Sequence, residues 1–199
     1  MTSPKLLLPW NGTTVIEHLL RTLARPEIAA TVIVVRPDDH ELRQVVQQTN
    51  AICIVAEADP PDMRHSIELG LRAIRERFQP RDEDGWLLIP ADHPLIEAAV
   101  LDGLLARWSQ CDCSILVPTH SGRRGHPTLF RWSFAAGVEQ LPHDVGLNVL
   151  LRSSPELVTE WPTERESILA DLDTPEDYAR WQTWLQGQDQ TSRVNCLGE

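Results

Sequence analysis

The chain is poor in cysteine and in basic residues and has no long apolar run, and each shortage excludes a class of protein. Its four cysteines are Cys53, Cys111, Cys113 and Cys196, and they form no C-x-x-C pair. A tetrahedral zinc site needs four ligands, so we expect reduced, mostly structural thiols. No apolar run approaches the ~20 residues of a membrane span, and no charged-then-apolar leader opens the chain. These absences favour a cytoplasmic protein with no membrane partner.

Basic residues are outnumbered, with 18 Lys and Arg against 29 Asp and Glu, for a net charge of −11. An acidic surface repels phosphate backbones at long range, so we expect no nucleic-acid partner, although local positive charge can still bind a small phosphorylated ligand. At 199 residues and 42% hydrophobic, the chain can bury one core. We expect a single domain over residues 1–186 and a polar tail without structure over 187–199.

Strand-like and helix-like patterns alternate along the chain. Nearly continuous apolar runs, typical of strands covered on both faces, lie at 31–36, 51–56, 86–90 and 114–118. Amphipathic patterns with helical spacing lie at 15–23, 38–48, 63–78 and 95–108. The alternation predicts an α/β fold in three layers, a mostly parallel sheet with helices on both faces. The later part predicts short strands at 126–132, 157–161 and 167–172, with helices at 133–141, 145–152 and 175–186.

The run I-P-A-D-H-P at 89–94 places a carboxylate directly after a strand. Ligands of open α/β sheets bind at the carboxyl ends of strands, where one or two carboxylates can hold Mg²⁺ together with substrate phosphates. Asp92 is therefore a candidate metal ligand. The structural alternative is that Asp92 caps a helix beginning near Leu95.

A second acidic run, A-D-L-D-T-P-E-D-Y, occupies 170–178. Asp171 and Asp173 would share one side of a strand end and could complete the metal site, with Asp173 the first choice and Asp171 the second. Capping is again the alternative, because Thr174 or Asp173 can begin a helix that has Pro175 at its first position.

The run G-R-R-G-H-P-T-L-F at 122–130 combines glycines with basic side chains. Glycine lets a loop approach a ligand closely, His126 can donate a hydrogen bond to it, and Arg124 supplies positive charge on an acidic protein. The structural alternative is a glycine-rich turn with solvated arginines.

Four motifs in order, KLLLPW, PADHP, RGHPTLF and DLDTPEDY, resemble those of the MobA/MocA-like nucleotidyltransferases, in particular the cytidylyltransferases of the molybdenum cofactor. The resemblance implies a Rossmann-like nucleotidyltransferase fold and a Mg²⁺ site built from Asp92, Asp173 and Asp171. It also implies that Lys5 and Asp92 are catalytic and bind the nucleotide with Ser66. His126 and Arg124 would contact the second substrate.

Members of that family open with a buried strand and a glycine-rich loop that precede K-L-L-P, and neither is present in this sequence. Met1 and Thr2 stand where the family's R-M-G has its last two residues. We expect a sheet without its central first strand. The preferred explanation is a translation start upstream of Met1, and the alternative is a real truncation with the tail or a partner in the strand's place. Two further departures are His143 for glycine and Asn148 for arginine.

The resemblance implies transfer of a nucleotidyl group, from CTP rather than GTP, to a phosphorylated pterin cofactor with release of pyrophosphate. A first alternative is a non-catalytic accessory protein that binds a nucleotide or cofactor for maturation of a molybdoenzyme. The second alternative is a sugar-phosphate nucleotidyltransferase, which shares the fold and the metal chemistry.

Overall fold

Two groups of strands, flanked by helices, form the centre of the molecule in a computed structural model that describes residues 5–142 and 145–195. Within those residues the strands are β1 Pro9–Trp10, β2 Thr13–Thr14, β3 Val32–Val35, β4 Ile52–Val55, β5 Gly85–Leu88, β6 Ile115–His120, β7 Arg123–Arg124, β8 Thr128–Arg131 and β9 Val158–Pro162. The α-helices are α1 Val15–Thr22, α2 His40–Gln47, α3 Met63–Phe78, α4 Ala98–Gln110, α5 Ala135–Glu139, α6 Asn148–Ser153 and α7 Pro175–Asn195. In the described ranges, no helix is both long enough and apolar enough to cross a membrane.

The predicted α/β fold class is confirmed, and the sheet is more mixed than the sequence predicts. Strands β3 and β4 form a parallel pair, while β5, β8, β6 and β7 follow one another in a second sheet in which β9 also pairs with β6. Strand β8 lies antiparallel between β5 and β6. A short turn and β7, rather than a helix, connect β6 to β8, so the chain reverses direction and returns antiparallel.

Local patterns place most elements within a few residues of their predicted bounds, and α3 matches its predicted range. Three boundaries differ. The predicted strand at 167–172 is wrong, because Glu166–Leu169 is a 3-10 helix and the acidic run follows in irregular structure. Helix α4 begins at Ala98 rather than near Leu95. Helix α7 continues through Asn195, beyond the point where the polar composition predicts a tail without structure.

The first described segment is folded back by a tight hairpin. Asn11 and Gly12, with φ of 44° and 76°, form the two-residue turn between β1 and β2, as expected for an Asn-Gly pair. Helix α1 then begins with a capping box. The backbone N–H of Thr14 donates to Glu17 Oε2 at 2.9 Å, and the N–H of Glu17 donates to Thr14 Oγ1 at 3.3 Å. The hairpin and the cap together fix the short segment that carries Lys5.

Strands β3 and β5 share two packing layers but no hydrogen bonds. On one face, Val32 and Val34 approach Gly70 of α3, while Trp86 belongs to the same apolar cluster as Leu71 of α3. On the other face, the side chains of both strands join the cluster built around α1, which includes Ile16, Leu19, Ile33 and Leu87. Within the described residues, β3 pairs only with β4 and β5 only with β8. In the described residues, side-chain packing rather than backbone pairing therefore joins the two sheets.

The cysteines differ from the sequence-based expectation of reduced thiols. Cys111 and Cys113 form a disulfide, with Cα atoms 5.2 Å apart, a separation within the range that a disulfide spans. Cys111, the residue that ends α4, has an extended backbone, so the chain leaves the helix before it reaches Cys113. Cys53 is a half-buried free thiol, and Cys196 lies outside the described residues.

Gly125 is required by a close backbone approach. A Cβ atom added there would lie 2.4 Å from the carbonyl oxygen of Ile168, and the next residue, His126, donates its backbone N–H to the same oxygen at 2.9 Å. The loop before β8 therefore packs directly against the 3-10 helix that leads to Asp171.

The substitution Gly125→Ala should lower the free energy of unfolding by about 1–3 kcal/mol, because the new methyl group meets backbone that cannot move independently. Urea denaturation of the two proteins measures this difference. Gly137→Ala in α5 is the matched control. Its Cβ would meet only Leu150 Cδ2 at 3.8 Å, and alanine is the better helix former. Equal losses in both variants would contradict the close-approach explanation.

Candidate active site

One lysine ammonium joins the two acidic motifs. Lys5 Nζ lies 2.5 Å from Asp92 Oδ2 and 3.2 Å from Asp173 Oδ1. These residues are 87 and 168 positions from Lys5 in the sequence. The side chain of Asp92 is 23% exposed and that of Asp173 is 66% exposed, so the cluster opens to solvent on the Asp173 side. The structure thus brings together three of the residues that the sequence singles out.

Helix α7 holds the segment that carries Lys5. The Tyr178 hydroxyl and Gln182 Nε2, the latter at 3.3 Å, both donate to the carbonyl oxygen of Pro9. The ring of Tyr178 also packs at 5.9 Å from Trp10, which is almost fully buried. Lys5 itself begins a 3-10 helix, Lys5–Leu7, immediately before this contact. The D-T-P-E-D-Y motif therefore contributes both a carboxylate and the helix that positions the lysine.

For each acidic motif, the alternative role of the aspartate is to cap a helix, and the hydrogen bonds at the helix starts decide between the two roles. Thr174 Oγ1 accepts from the N–H of Asp177 at 3.1 Å, and Asp177 Oδ2 accepts from the N–H of Thr174 at 2.9 Å, a capping box that leaves Asp173 for Lys5. For Asp92, the residue at the helix cap is Glu97, because α4 begins later than predicted. Helix capping therefore accounts for neither Asp92 nor Asp173.

Lys5 is the only lysine in the chain. Partial burial disfavours its charged form, but hydrogen bonds and charge attraction, first from Asp92 and then from Asp173, outweigh that effect and raise the pKa of Lys5 above its ordinary 10.5. The ammonium is therefore fully charged at neutral pH. A single fixed positive charge stands between two carboxylates on an acidic protein.

Two buried histidines adjoin this cluster. The rings of His93 and His126 meet edge to face with centroids 5.0 Å apart, and Nδ1 of each is buried without a hydrogen-bond partner in the described part of the chain. Burial, followed by the nearby charge of His93, lowers the pKa of His126 to about 4. Burial also lowers the pKa of His93. Both rings are neutral at neutral pH, and their contact ties the P-A-D-H-P motif to the R-G-H-P motif.

His93 lies beside the charge cluster, although the sequence analysis did not single it out. Because His93 lies between Asp92 and a proline, the sequence predicts an exposed loop residue. In the structure it is only 8% exposed. The charges of three aspartates, Asp92, Asp171 and Asp173, all act on its ring. One feature of the sequence could have indicated this role. His93 precedes Pro94 just as His126 precedes Pro127, so the two histidines occur in the same dipeptide.

Ser66 lies on the wall of a cavity of about 360 Å³ that also reaches Lys5 and Asp92. It occupies the first turn of α3, whose cap is Asp62, the acceptor from the N–H of His65 at 2.9 Å. Ser66 is therefore not the capping residue. The exposed side chain of Met63 lines the same cavity. A larger cavity of about 510 Å³ lies at the amino-terminal ends of β3 and β4, and none of the candidate residues lines it.

Arg124 and Asp171 lie outside the group formed by Lys5, Asp92 and Asp173. Arg124 Nε donates to Glu160 Oε1 at 2.9 Å, and its Nη1 donates to the carbonyl oxygen of Leu151 at 3.5 Å. Its charge is thus already paired within the fold. Asp171 lies close enough to His93 for its charge to affect the pKa of that ring, while the direct contacts of Lys5 are with Asp92 and Asp173.

Of the two residues that depart from the family pattern, Asn148 begins α6, and His143 lies outside the described residues.

The donor set suits a hard divalent cation in one respect. Two carboxylates converge on one point, and Mg²⁺ is commonly held by one or two carboxylates together with water and substrate phosphates. Across the described ranges, no group of three or more Asp, Glu, His or Cys side chains could hold a metal by itself. Asp92 and Asp173 therefore fit a cation that arrives with phosphate ligands of its own.

A family model for the MobA-like NTP transferase domain matches residues 1–158. The chain belongs to this family. Among curated proteins, the bifunctional protein GlmU of Leifsonia xyli subsp. xyli (strain CTCB07) is 32% identical over 106 residues, which are 52% of this chain and 21% of that protein. The chain thus spans about a fifth of the length of that relative.

Solved structures share the fold of this MobA-like domain. Rv0371c from Mycobacterium tuberculosis H37Rv has a TM-score of 0.77 and 23% identity, covering 92% of this chain and 91% of its own. The same protein has been solved as a complex with manganese, with a TM-score of 0.74. Molybdopterin-guanine dinucleotide biosynthesis protein A from Archaeoglobus fulgidus has a TM-score of 0.65 and 18% identity, covering 94% of this chain and 92% of its own.

Because Lys5 is the only lysine, its titration can be followed without overlap. Lysine labelled with ¹³C at Cε, incorporated into the protein, should give one signal whose midpoint lies above 10.5. In the double variant Asp92→Asn and Asp173→Asn the midpoint should fall, because burial then acts without compensating charge. The pH dependence of folding stability follows from the raised pKa of Lys5. Stability from the raised pKa is complete below 10.5 and is lost only as pH rises through the folded-state value. Equal midpoints in the two proteins would contradict the charge cluster.

Proposed function

We propose that this MobA-like domain catalyses nucleotidyl transfer from a nucleoside triphosphate, CTP in preference to GTP, to a phosphorylated acceptor of the pterin type. The observation that supports this most directly is the convergence of Asp92 and Asp173 on Lys5, beside a cavity that Lys5 and Asp92 line and that is large enough for a small ligand. These residues come from three separate motifs. Their meeting point combines a cation, for phosphate oxygens, with two carboxylates, for a metal.

The reaction needs no nucleophile from the protein. An oxygen of the acceptor phosphate attacks the α-phosphorus, a new P–O bond forms, and the bond to the β-phosphate breaks to release pyrophosphate. Catalysis then consists of positioning and charge neutralisation. A Mg²⁺ ion held by Asp92 and Asp173 would neutralise phosphate charge and align the reacting groups.

Lys5 would bind triphosphate oxygens and stabilise the charge that develops on the leaving pyrophosphate. In the free protein it neutralises the two carboxylates instead, so the ammonium would exchange carboxylate partners for phosphate ones. The flexible stem of lysine suits such an exchange better than the planar fork of arginine. Ser66 and Met63, on the wall of the same cavity, would contact the nucleoside.

The acceptor would enter beside His126, whose buried neutral ring can donate or accept one hydrogen bond. The preference for a pterin and for CTP rests on the R-G-H-P-T-L-F and D-L-D-T-P-E-D-Y motifs. Arg124 would reach the acceptor only by giving up its ion pair with Glu160. A sugar phosphate is the second candidate acceptor, favoured by the similarity to GlmU over half of this chain.

The uncharged Asn148, at a position where the family pattern has an arginine, favours a non-catalytic role as the remaining alternative. Such a protein would bind the nucleotide or the pterin cofactor and deliver it to a molybdoenzyme. It would show nucleotide binding without pyrophosphate release.

Asp92→Asn and Asp173→Asn should each reduce Mg²⁺-dependent pyrophosphate release by about 10²-fold or more, because each removes a carboxylate from the charge cluster. The assay follows pyrophosphate with CTP or GTP and a pterin phosphate or a sugar phosphate as acceptor. Asp102→Asn is the matched control. Asp102 is an exposed aspartate of α4 that pairs with Arg25 at 2.8 Å, and its loss should leave turnover unchanged.

Each outcome separates the candidate functions. Turnover with a pterin phosphate supports the proposal. Turnover only with a sugar phosphate would mean that the acceptor is a sugar phosphate and not a pterin. Nucleotide binding without turnover in the unmodified protein favours the accessory role. Full activity in both site variants would overturn the assignment of Asp92 and Asp173.

A further inference from the structure

The disulfide between Cys111 and Cys113 closes a very short loop, at the point where α4 ends and the chain turns towards β6. A disulfide stabilises a fold mainly by restricting the unfolded chain, and that restriction grows with the length of the loop that the bond closes. Residues separated by a single position are close neighbours in the unfolded chain as well. This bond therefore contributes little to stability, and its reduction would leave the fold intact.

The two sulfurs of this bond differ in their access to solvent. Cys113 is 6% exposed and packs in the apolar cluster that contains Leu104 and Leu129, whereas Cys111 is only half-buried at the border of the same cluster. The side chain of Asp112, between them, is fully exposed. A thiol that approaches from solution therefore meets the sulfur of Cys111 first.

The charges around the pair distinguish the two sulfurs in the same direction. Arg131 Nε donates to the carbonyl oxygen of Cys113 at 2.9 Å, and the guanidinium is held over the ring of Trp108, 4.9 Å from its centroid. Arg131 Nη2 also lies 3.2 Å from Asp112 Oδ1, but water screens the charge of that exposed carboxylate.

A fixed cation beside a cysteine favours its thiolate. The carboxyl end of a helix has the opposite effect, and Cys111 is the residue that ends α4. When the bond breaks, a negative charge is therefore more stable on Cys113, beside Arg131, than on Cys111. Accessibility and charge both make Cys111 the sulfur that is attacked and Cys113 the sulfur that leaves.

We propose that Cys111 and Cys113 form a thiol–disulfide exchange site that takes up two electrons from low-molecular-weight thiols. A thiolate bonds to Sγ of Cys111, the bond between the two protein sulfurs breaks, and its electron pair passes to Cys113. A second thiolate then attacks the reagent sulfur of the mixed disulfide and releases Cys111. Each protein sulfur ends with one proton, and the two reagent thiols end as one disulfide.

This site lies at the opposite end of β5 from the candidate active site. Trp108, which holds Arg131, packs against Gly85, the first residue of β5, whereas Asp92 follows the last residue of that strand. The exchange reaction is thus separate from nucleotidyl transfer. Its test measures no turnover, so that either proposal can fail without the other.

The first experiment uses the full chain with Cys53→Ser and Cys196→Ser, which leaves only the pair to react. The folded protein is equilibrated with mixtures of reduced and oxidised glutathione, free thiols are blocked with iodoacetamide, and the intact mass counts the blocked cysteines. We expect a reversible passage from neither cysteine blocked to both blocked, with unchanged circular dichroism, because the bond closes so short a loop.

Three results would overturn the exchange site. A bond that glutathione reduces only in urea would be a structural disulfide. Two blocked cysteines in every mixture would mean that the thiols do not pair in solution. Loss of the circular dichroism signal on reduction would mean that the fold depends on the bond.

The second experiment tests which sulfur is attacked. Reduced glutathione is added to the oxidised, folded protein in the presence of excess iodoacetamide, which blocks the released thiol and traps the mixed disulfide. Peptide mapping should find glutathione on Cys111 about tenfold or more often than on Cys113. The control is the same reaction in urea, where burial and the Arg131 contact are lost and the two sulfurs should react about equally. An equal distribution in the folded protein would contradict the assignment of Cys111.

Discussion

The contact of the Lys5 ammonium with Asp92 and Asp173 is the interaction on which the candidate site depends. It joins the first described turn, the end of β5 and the segment before α7. Without a cation between them, two carboxylates held at such short range would repel each other. The exposed fraction of the cluster makes its contribution to stability small, since water screens such pairs. Its importance lies in keeping two acidic groups and one basic group assembled around the same point.

The positions of these groups are set by parts of the chain that do not react. Helix α7 binds the carbonyl oxygen of Pro9 through Tyr178 and Gln182, and the capping box at Thr174 leaves Asp173 available. The paired rings of His93 and His126 hold two loops together. The motif residues therefore act in two ways, some by charge at the site and others by fixing the loops and helix that carry the charges.

In the part of the chain that the structure describes, β3 and β5 belong to different hydrogen-bonded sheets. Helix α3 and the cluster around α1 bridge β3 and β5 through apolar contacts alone. Side-chain packing can hold two strands in one plane without backbone pairing, because the hydrophobic effect is non-directional and scales with buried area. Both strands line the cavity that Lys5 also lines, which connects the packing of the strands to the geometry of the site.

The sequence by itself determined the α/β class and the approximate bounds of most helices and strands, and it indicated Lys5, Asp92 and Asp173 as candidate site residues, because apolar periodicity and short motifs are local properties. It failed at residues 167–172, where an apolar pattern folds as a 3-10 helix against Gly125, and in the sheet order, where a short turn makes β8 antiparallel. Only the tertiary structure decided that Lys5 joins both acidic motifs, that His93 is buried against His126, and that Arg124 is paired with Glu160. Each of these depends on contacts between residues far apart in the sequence, and the hydrophobic pattern of one segment does not specify which distant segment it meets.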